Sequence, residues 1–108
     1  MTLPIELDVA PGRLPEDLEA TVYYIVAEAL TNVSRHADAT RARVTVTLEE
    51  GVVRVEIADD GKGGADATRG TGLIGLRDRA EAARGTLAVV SPPGGGTVIT
   101  ASLPLAEA

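Results

Sequence analysis

The amino-acid sequence predicts an α/β (α+β) fold, a two-layer α/β sandwich with helices on one face of a mixed five-stranded sheet. Three observations predict it: two stretches have apolar residues at helical spacing, five stretches alternate apolar and polar residues, and the two kinds are interleaved. The other sheet face should be polar, and the strands supply Arg43, Thr45, Thr47, Arg54 and Glu56 for it. At 108 residues, the chain has the length of one domain, residues 1–108.

The composition argues against several classes of function. The chain has no cysteine and one histidine, which excludes a disulfide scaffold, a thiolate or histidine-rich metal site and a cysteine nucleophile. A net charge of −6 argues against a nucleic-acid surface, which needs clustered Lys and Arg. No apolar stretch approaches the ~20 residues of a membrane span, and the N-terminus lacks the regions of a signal peptide. We therefore expect a soluble, cytoplasmic domain without direct membrane contact.

The first half of the chain predicts a strand, a long helix and a hairpin. Residues 2–9 alternate apolar and polar side chains, which is typical of a half-buried strand. A helix of about six turns is expected over residues 15–37, because its apolar residues recur at intervals of three and four. Residues 42–48 and 53–57 alternate around a turn at 49–51, which predicts the hairpin.

The second half predicts a loop, a second helix and two strands. Residues 59–72 are rich in glycine and show no periodicity. The second helix follows, with Leu73, Leu76, Ala80 and Ala83 on one face, and Gly85 is expected to cap its C-terminus. Residues 86–90 and 97–103 predict the last two strands around a turn at 91–96.

Two polar residues of the long helix are candidates for a site. Glu28 and Asn32 are about 40° apart around the helix and lie just beside its apolar stripe. From that border their side chains can face a cleft while the helix stays packed. Asparagine is a poor residue for the middle of a helix, which favours a role for Asn32. The alternative of two ordinary boundary residues stays open.

The loop after the predicted hairpin is a second candidate. In the sequence Asp59-Asp60-Gly61-Lys62-Gly63, two acids end an apolar strand and glycines follow. A carboxylate in that place can accept a hydrogen bond from an exocyclic amino group such as that of adenine, and glycines let the backbone approach a ligand closely. The alternative is an Asp-Gly turn that closes a hairpin.

The third and fourth candidates are also rich in glycine. Residues 70–75 have the spacing G-x-G-x-x-G and open a helix, but they do not follow a strand directly and no acid stands about 20 residues later, so a dinucleotide-binding fold is excluded. No P-loop is present either. The backbone N–H groups of such a helix N-terminus suit phosphate. The hydroxyl of Thr97 either points into the same cleft or serves the sheet edge.

In order along the chain, these segments resemble the four boxes of the Bergerat-fold (GHKL) ATPases, the family of gyrase, the Hsp90 chaperones, MutL and the histidine kinases. The run at 28–37 (EALTNVSRHA) and the helix at 72–79 (GLIGLRDR) look most like the catalytic domain of sensor histidine kinases of the NarL-coupled class. The resemblance covers nearly the whole chain. It implies a single histidine-kinase-like ATP-binding domain.

The resemblance also implies a function, cofactors and partners. The chain would donate the γ-phosphoryl group of ATP, with Mg²⁺, to a His on a separate helical dimerisation domain. That domain, with its phosphoacceptor His, is not in this chain, and the phosphoryl group would pass on to a response regulator. The isolated domain is expected to be a monomer. There are two alternatives: an anti-sigma-factor-type regulator, which is a protein-binding switch of the same fold that phosphorylates Ser on a partner, and a pseudo-kinase that binds a partner and no ATP.

By the same resemblance, the roles fall on particular residues of the four boxes. Asn32 would ligate Mg²⁺ through its amide oxygen, and Asp59 would accept the adenine amino group. Glu28 is the candidate catalytic acid or base, with its role left open. The remaining nucleotide-binding candidates are Gly61 and Gly63 as room for the base, Thr97 as support for adenine, Gly70, Thr71, Gly72 and Leu73 as N–H donors to phosphate, and Arg35 or His36 as cations.

Overall fold

A computed structural model describes residues 5–9, 14–36, 39–64 and 73–105. Its elements follow the predicted order of strand, helix, two strands, helix and two strands. They are β1 (Ile5–Val9), α1 (Glu16–His36), β2 (Ala42–Glu49), β3 (Val52–Asp59), α2 (Leu73–Ala82), β4 (Thr86–Val90) and β5 (Thr97–Pro104). Element types and order are confirmed, and the boundaries lie within a few residues of those predicted.

The five strands form one mixed sheet in the spatial order β1-β2-β3-β5-β4. β1 runs parallel to β2, and the other neighbours are antiparallel. α1 lies over β2 and β3, α2 lies over β4 and β5, and the two helices also pack against each other. The predicted two-layer sandwich is therefore confirmed. Within the described parts of the chain, no helix is long and apolar enough to cross a membrane.

The core lies between the helices and the sheet, and it is built from aliphatic side chains. Ile25 of α1 and Leu76 of α2 are completely buried, and they pack in one cluster with alternate residues of the strands. The opposite sheet face has the expected polar character, because Arg43 and Arg54 are exposed while Thr45 is half-buried. One face of the sheet therefore forms the core and the other faces water.

Strand β1 differs from the expectation of a half-buried strand. Ile5 and Leu7, its apolar pair, are 45% and 65% exposed, and Glu6 and Asp8 on the other face are exposed as well. The physical reason is topological, since β1 forms an edge of the sheet while α1 packs over β2 and β3. Alternation in the sequence identified a strand, but it could not indicate whether a helix covers that strand.

The C-terminus of α2 is capped, but the residue in the left-handed conformation is not Gly85. Arg84 has a φ of 66°, and its N–H donates to the carbonyl of Glu81 (2.9 Å). The N–H of Gly85 donates to the carbonyl of Ala80 (2.8 Å). This is the Schellman pattern with arginine where glycine is usual. Gly85 is needed for a different reason, since a Cβ there would lie 2.2 Å from the carbonyl oxygen of Ser102.

Candidate functional site

Two of the candidate segments, those of Asp59 and Thr97, meet at one end of the sheet, which we call the site end. Asp59, the last residue of β3, pairs with Thr97, the first residue of β5, and with Ala42 at the start of β2. All three are in phase with core residues of their strands, so they lie on the face that the helices cover. The sheet therefore brings two residues that are 38 apart in the sequence side by side.

The second half of α1 lies over this end of the sheet. Val33 is buried and packs against Ala42, which is the cross-strand partner of Asp59. Asn32 directly precedes Val33, and Glu28 lies one helical turn earlier, on the same flank. Both side chains are half-buried, as their place beside the apolar stripe predicted. Glu28 makes no hydrogen bond or ion pair with the described residues.

The carboxylate of Asp59 is held by its own loop. Its Oδ1 accepts a hydrogen bond from the N–H of Gly61 at 2.8 Å, two residues on, in the manner of an Asx turn. Its Oδ2 has no hydrogen-bond partner in the described part of the chain. One oxygen thus fixes the orientation of the side chain and the other keeps its capacity as an acceptor.

Thr97 is buried, with 8% of its surface exposed. Its Oγ1 lies 2.6 Å from the Oγ of Ser91, and either hydroxyl can be the donor. The side chain therefore links the start of β5 to the turn before it, which is a third possibility beside the two that the sequence left open.

The loops at 61–64 and 91–96 are packed against each other. The N–H of Gly64 donates to the carbonyl of Ser91 at 2.8 Å. A Cβ on Gly63 (φ 68°) would lie 2.0 Å from the carbonyl oxygen of Pro92, and a Cβ on Gly96 (φ 75°) would lie 2.3 Å from that of Asp59. The space beside Gly63 is thus filled by the second loop, so this glycine is needed for contact between the loops. That Gly63 also leaves room for the adenine base stays a prediction.

Asn32 carries a buried atom without a partner. Its Nδ2 is inaccessible to solvent and finds no hydrogen-bond partner among the described residues. An unpaired buried amide typically costs about 1–3 kcal/mol, so such a group calls for a ligand. With Nδ2 in the buried position, the amide would donate to an anion, and rotation of χ2 by 180° would present Oδ1 to a cation instead.

Sequence reasoning overlooked Asp60. Its Oδ1 accepts hydrogen bonds from the N–H groups of Thr40 (2.8 Å) and Arg41 (3.1 Å), and its Oδ2 accepts one from the Thr40 hydroxyl. The hydroxyl of Thr40 and then the two backbone N–H groups hold the pKa of this carboxyl at about 2, below its usual 3.8. The only signal in the sequence was the second acid of the Asp59-Asp60-Gly61 run, and nothing there indicated its partners.

Several predicted site residues are not described at the level of their side chains. Gly70, Thr71 and Gly72 lie outside the described residues, and so do the side chains of Arg35 and His36 in the last turn of α1. Leu73 is the first residue of α2, and its side chain is buried in the core. Its backbone N–H is among the four at a helix start that have no partner inside the helix.

Comparison with known proteins points to one family. The family model described as "Histidine kinase-, DNA gyrase B-, and HSP90-like ATPase" matches residues 17–107. The chain is 41% identical over 106 residues to "Sensor histidine kinase YxjM" of Bacillus subtilis, covering 95% of this chain and 26% of that protein. It is 33% identical over 96 residues to "Signal transduction histidine-protein kinase/phosphatase DegS" of Brevibacillus brevis, covering 86% of this chain and 25% of that protein. The chain therefore spans about a quarter of the length of these relatives.

Solved structures share the fold. The "Erythrobacter litoralis EL346 blue-light activated histidine kinase" superposes with a TM-score of 0.85 at 22% identity, over 95% of this chain and 35% of that one. The ATP-binding domain of PrrB from Mycobacterium tuberculosis gives 0.68 at 23% identity, over 95% and 82%. With the family model matching most of its length and a relative 41% identical to it, this chain belongs to the histidine kinase-, DNA gyrase B- and HSP90-like ATPases.

Proposed function

We propose that the chain is the ATP-binding catalytic domain of a two-component sensor histidine kinase. It donates the γ-phosphoryl group of Mg-ATP to a histidine on a separate helical dimerisation domain, from which a response regulator takes it. Residues 1–108 act as one domain in this proposal, on the cytoplasmic side of the cell. The names of two relatives support it, because one is a sensor histidine kinase and the other a signal transduction histidine-protein kinase/phosphatase.

The observation that carries the proposal is the pairing of Asp59 with Thr97 beneath α1. An acceptor oxygen and a hydroxyl on neighbouring strands form one wall, and the Asn32 flank of the helix forms the other. A ligand that reaches both walls must combine a hydrogen-bond donor at one end with a group that binds an amide at the other. An adenine nucleotide has that combination, since its exocyclic amine is a donor and its phosphates carry charge.

In the part of the site that binds the base, Asp59 recognises adenine. The N–H of Gly61 already donates to Oδ1, so Oδ2 is the atom that accepts a hydrogen bond from the adenine amino group. Thr97 supports the same edge of the base through its hydroxyl, which Ser91 orients. Guanine has an oxygen in place of that amine, and two acceptors facing each other repel, which gives the site a preference for adenine.

At the phosphates, Asn32 fits the magnesium ion that this reaction uses. Mg²⁺ takes oxygen ligands and is usually held by few protein groups together with phosphate oxygens. No cluster of three acidic, histidine or cysteine side chains that could hold a metal lies within the described residues. The Asn32 amide at the edge of the site matches that pattern once χ2 is rotated by 180°, because Oδ1 then takes the buried position where Nδ2 has no partner. When bound, the ion neutralises charge on the phosphates.

Transfer of the γ-phosphoryl group needs a nucleophile, and we assign that nucleophile to a partner. The attacking atom must lie in line with the γ-phosphate at about 3–3.5 Å, and much of the rate comes from that placement. The single histidine of the chain, His36, belongs to the last turn of α1, the helix that carries Asn32. A residue of the same wall lies beside the phosphates, so we assign His36 and Arg35 to charge neutralisation and the acceptor to a partner helix. Glu28 is the candidate proton acceptor.

Two measurements test the proposed function. Calorimetric titration should detect binding of Mg-ATP to the chain, with weaker binding of Mg-GTP. Incubation with ATP labelled at the γ-phosphate should leave the chain unlabelled and should place an acid-labile label on a helical phosphoacceptor fragment of a sensor kinase mixed with it. His36→Gln should leave that transfer possible.

The opposite outcomes are specific. Acid-labile label on this chain alone, lost in His36→Gln, would contradict the assignment of the acceptor to a partner. Acid-stable phosphoserine on a partner protein would indicate the Ser kinase of the same fold. Absence of Mg-ATP binding would indicate a protein-binding module without kinase activity.

A further inference from the structure

Asp60 joins two segments of the site end that are far apart in the sequence. Its carboxylate lies directly after β3 and holds Thr40 and Arg41, 20 and 19 residues earlier. The last backbone pair between β2 and β3 is Ala42 with Asp59. The side chain of Asp60 therefore extends the attachment of these two strands beyond the point where their ladder ends.

The segment that Asp60 holds is also in contact with α1. Ala39 directly precedes Thr40 and packs against Val33 and Ala42. Val33 in turn follows Asn32 on the helix. A continuous path of contacts thus runs from the Asp59 loop, through Asp60 and Thr40, to the turn of α1 that carries Asn32.

We propose that Asp60 is a positioning residue that fixes Asp59 relative to Asn32, and so fixes the base-binding part of the site relative to its phosphate-binding part. This inference rests on the proposed nucleotide function. A whole nucleotide must reach both parts at once, whereas adenosine needs only the first. A connection that is already rigid lowers the ordering cost of binding, so its loss weakens binding of the nucleotide more than binding of the nucleoside.

Hydrogen bonds to the Asp60 carboxylate, and not an ion pair, provide this attachment. Among the described residues, the nearest cationic atom is Nε of Arg41, 4.0 Å from Oδ2, and the two side chains are 82% and 42% exposed. Ion pairs in such exposed positions contribute little. Asparagine can preserve the pattern, because its Oδ1 accepts both N–H bonds and its Nδ2 donates to the hydroxyl oxygen of Thr40.

The test compares Asp60→Ala with Asp60→Asn in titrations with Mg-ATP and with adenosine. In Asp60→Ala we expect the affinity for Mg-ATP to fall about tenfold or more, the effect of losing hydrogen bonds to a charged group, and the affinity for adenosine to change less than about threefold. In Asp60→Asn both affinities should stay within about twofold of the wild type.

A matched control is Glu6→Ala. Glu6 is also an exposed carboxylate that links distant segments, since it accepts a hydrogen bond from the guanidinium of Arg43. That pair lies on the sheet face away from the helices, so its loss should change neither affinity. An equal effect of Glu6→Ala on Mg-ATP binding would indicate general loosening of the sheet and would overturn the specific role of Asp60.

Hydrogen exchange tests the structural part without nucleotide. The N–H groups of Thr40 and Arg41 should exchange slowly in the wild type and in Asp60→Asn, and fast in Asp60→Ala. Should Asp60→Ala not fold, Thr40→Val carries the comparison, because it deletes only the hydroxyl bond and should produce a smaller loss of the same kind.

Two results would overturn the role of Asp60 alone: equal losses for adenosine and Mg-ATP, or an Asp60→Asn variant as weak as Asp60→Ala. Failure of the wild type to bind Mg-ATP, with the exchange pattern as expected, would instead overturn the proposed function and with it any role of Asp60 in binding. The two failures are therefore distinguishable.

Discussion

Left-handed backbone conformations occur at both ends of the sheet, but on different residue types. At the turn end, where β2 turns into β3 and α2 leads into β4, they include Glu50 (φ 52°), Arg84 (φ 66°) and Gly51 (φ 78°). At the site end, every described residue with such a φ is a glycine. These are Gly63, Gly64, Gly94 and Gly96.

The surrounding space explains the difference at two of these glycines, Gly63 and Gly96. Nothing lies within 4 Å of a Cβ built on Gly51, whereas a Cβ on Gly63 or Gly96 would strike the backbone of the neighbouring loop. A side chain in the left-handed region costs roughly 1–2 kcal/mol, and the turn end accepts that cost twice. The site end cannot accept it at Gly63 and Gly96, because each of these glycines also allows close contact with a neighbouring backbone, whereas nothing lies within 4 Å of a Cβ built on Gly64 or Gly94. A positive φ angle alone therefore does not distinguish a simple turn from two loops that are in close contact at the site end.

The largest effect should come from adding a methyl group at the site end. In Gly63→Ala and Gly96→Ala, we expect the free energy of unfolding to fall by more than about 3 kcal/mol, since backbone strain adds to a clash. Gly51→Ala, with strain alone, should lose only about 1 kcal/mol. Urea denaturation measures all three. Equal losses at both ends would contradict the role of loop contact.

The next largest effect concerns a ligand and not the fold. In Asp59→Asn, an amide N–H₂ can face the adenine amine where an acceptor stood, and we expect the affinity for ATP to fall about a hundredfold with the unfolding free energy little changed. Titration calorimetry and urea denaturation of the same sample separate the two quantities. An unchanged affinity of this variant for ATP would contradict the assignment of Asp59 to adenine binding.

Asn32→Ala should act on the metal-dependent part of binding. Removal of the amide should abolish most of the gain in ATP affinity that Mg²⁺ produces, about tenfold, while binding of ATP in EDTA changes little. The measurement is a pair of titrations with and without Mg²⁺. If both lost affinity by the same factor, Asn32 would be a structural residue of α1.

At the turn end, the expected change has the opposite sign. Arg84→Gly places glycine in the left-handed position of the α2 cap and should raise the unfolding free energy by about 0.5–1 kcal/mol. Thermal unfolding is the measurement, with Gly85→Ala as the contrasting variant, because a Cβ at Gly85 would lie 2.2 Å from a carbonyl oxygen of β5. A loss of stability in Arg84→Gly would show that its side chain matters more than its φ.

The smallest effect is the pH dependence that Asp60 brings. Its pKa in the folded chain is about 2, below the usual 3.8, so its contribution is fully present above about pH 5 and is lost as the pH falls towards 2. The difference in Tm between the wild type and Asp60→Asn should therefore shrink on acidification across that range. A difference that stays constant from pH 5 to 2 would contradict the lowered pKa.

The sequence was sufficient for the elements and insufficient for their contacts. Periodicity located β3 and α1, because a local pattern of apolar residues reflects which face is buried. It could not place β1 at an edge, since alternation does not name a strand's partner. It also could not show that Arg84 adopts the left-handed conformation while Gly85 approaches Ser102, because both depend on how closely α2 and β5 approach.

The candidate site divides in the same way. Asp59 and Asn32 were found from residue type, spacing and the family resemblance, which together suggested a chemistry. Asp60 was missed because its partners, Thr40 and Arg41, lie about twenty residues away and carry no pattern of their own. Gly63 was found, but its contact with Pro92 depends on the fold of a second loop. Local sequence therefore indicates what a residue can do, and the fold decides what it touches.

The exposed edge strand β1 has a consequence for behaviour at high concentration. Within the described residues no strand pairs with the outer edge of β1, which can therefore pair with a second molecule, and Ile5 and Leu7 would favour that pairing. Glu6 and Asp8 alternate with them, and like charges brought together in such a stack repel each other. Charge repulsion between molecules is weakest where the net charge of −6 vanishes, near the pI of 4.6. The domain should therefore aggregate most readily in mildly acidic solution, with β1 as the point of adhesion.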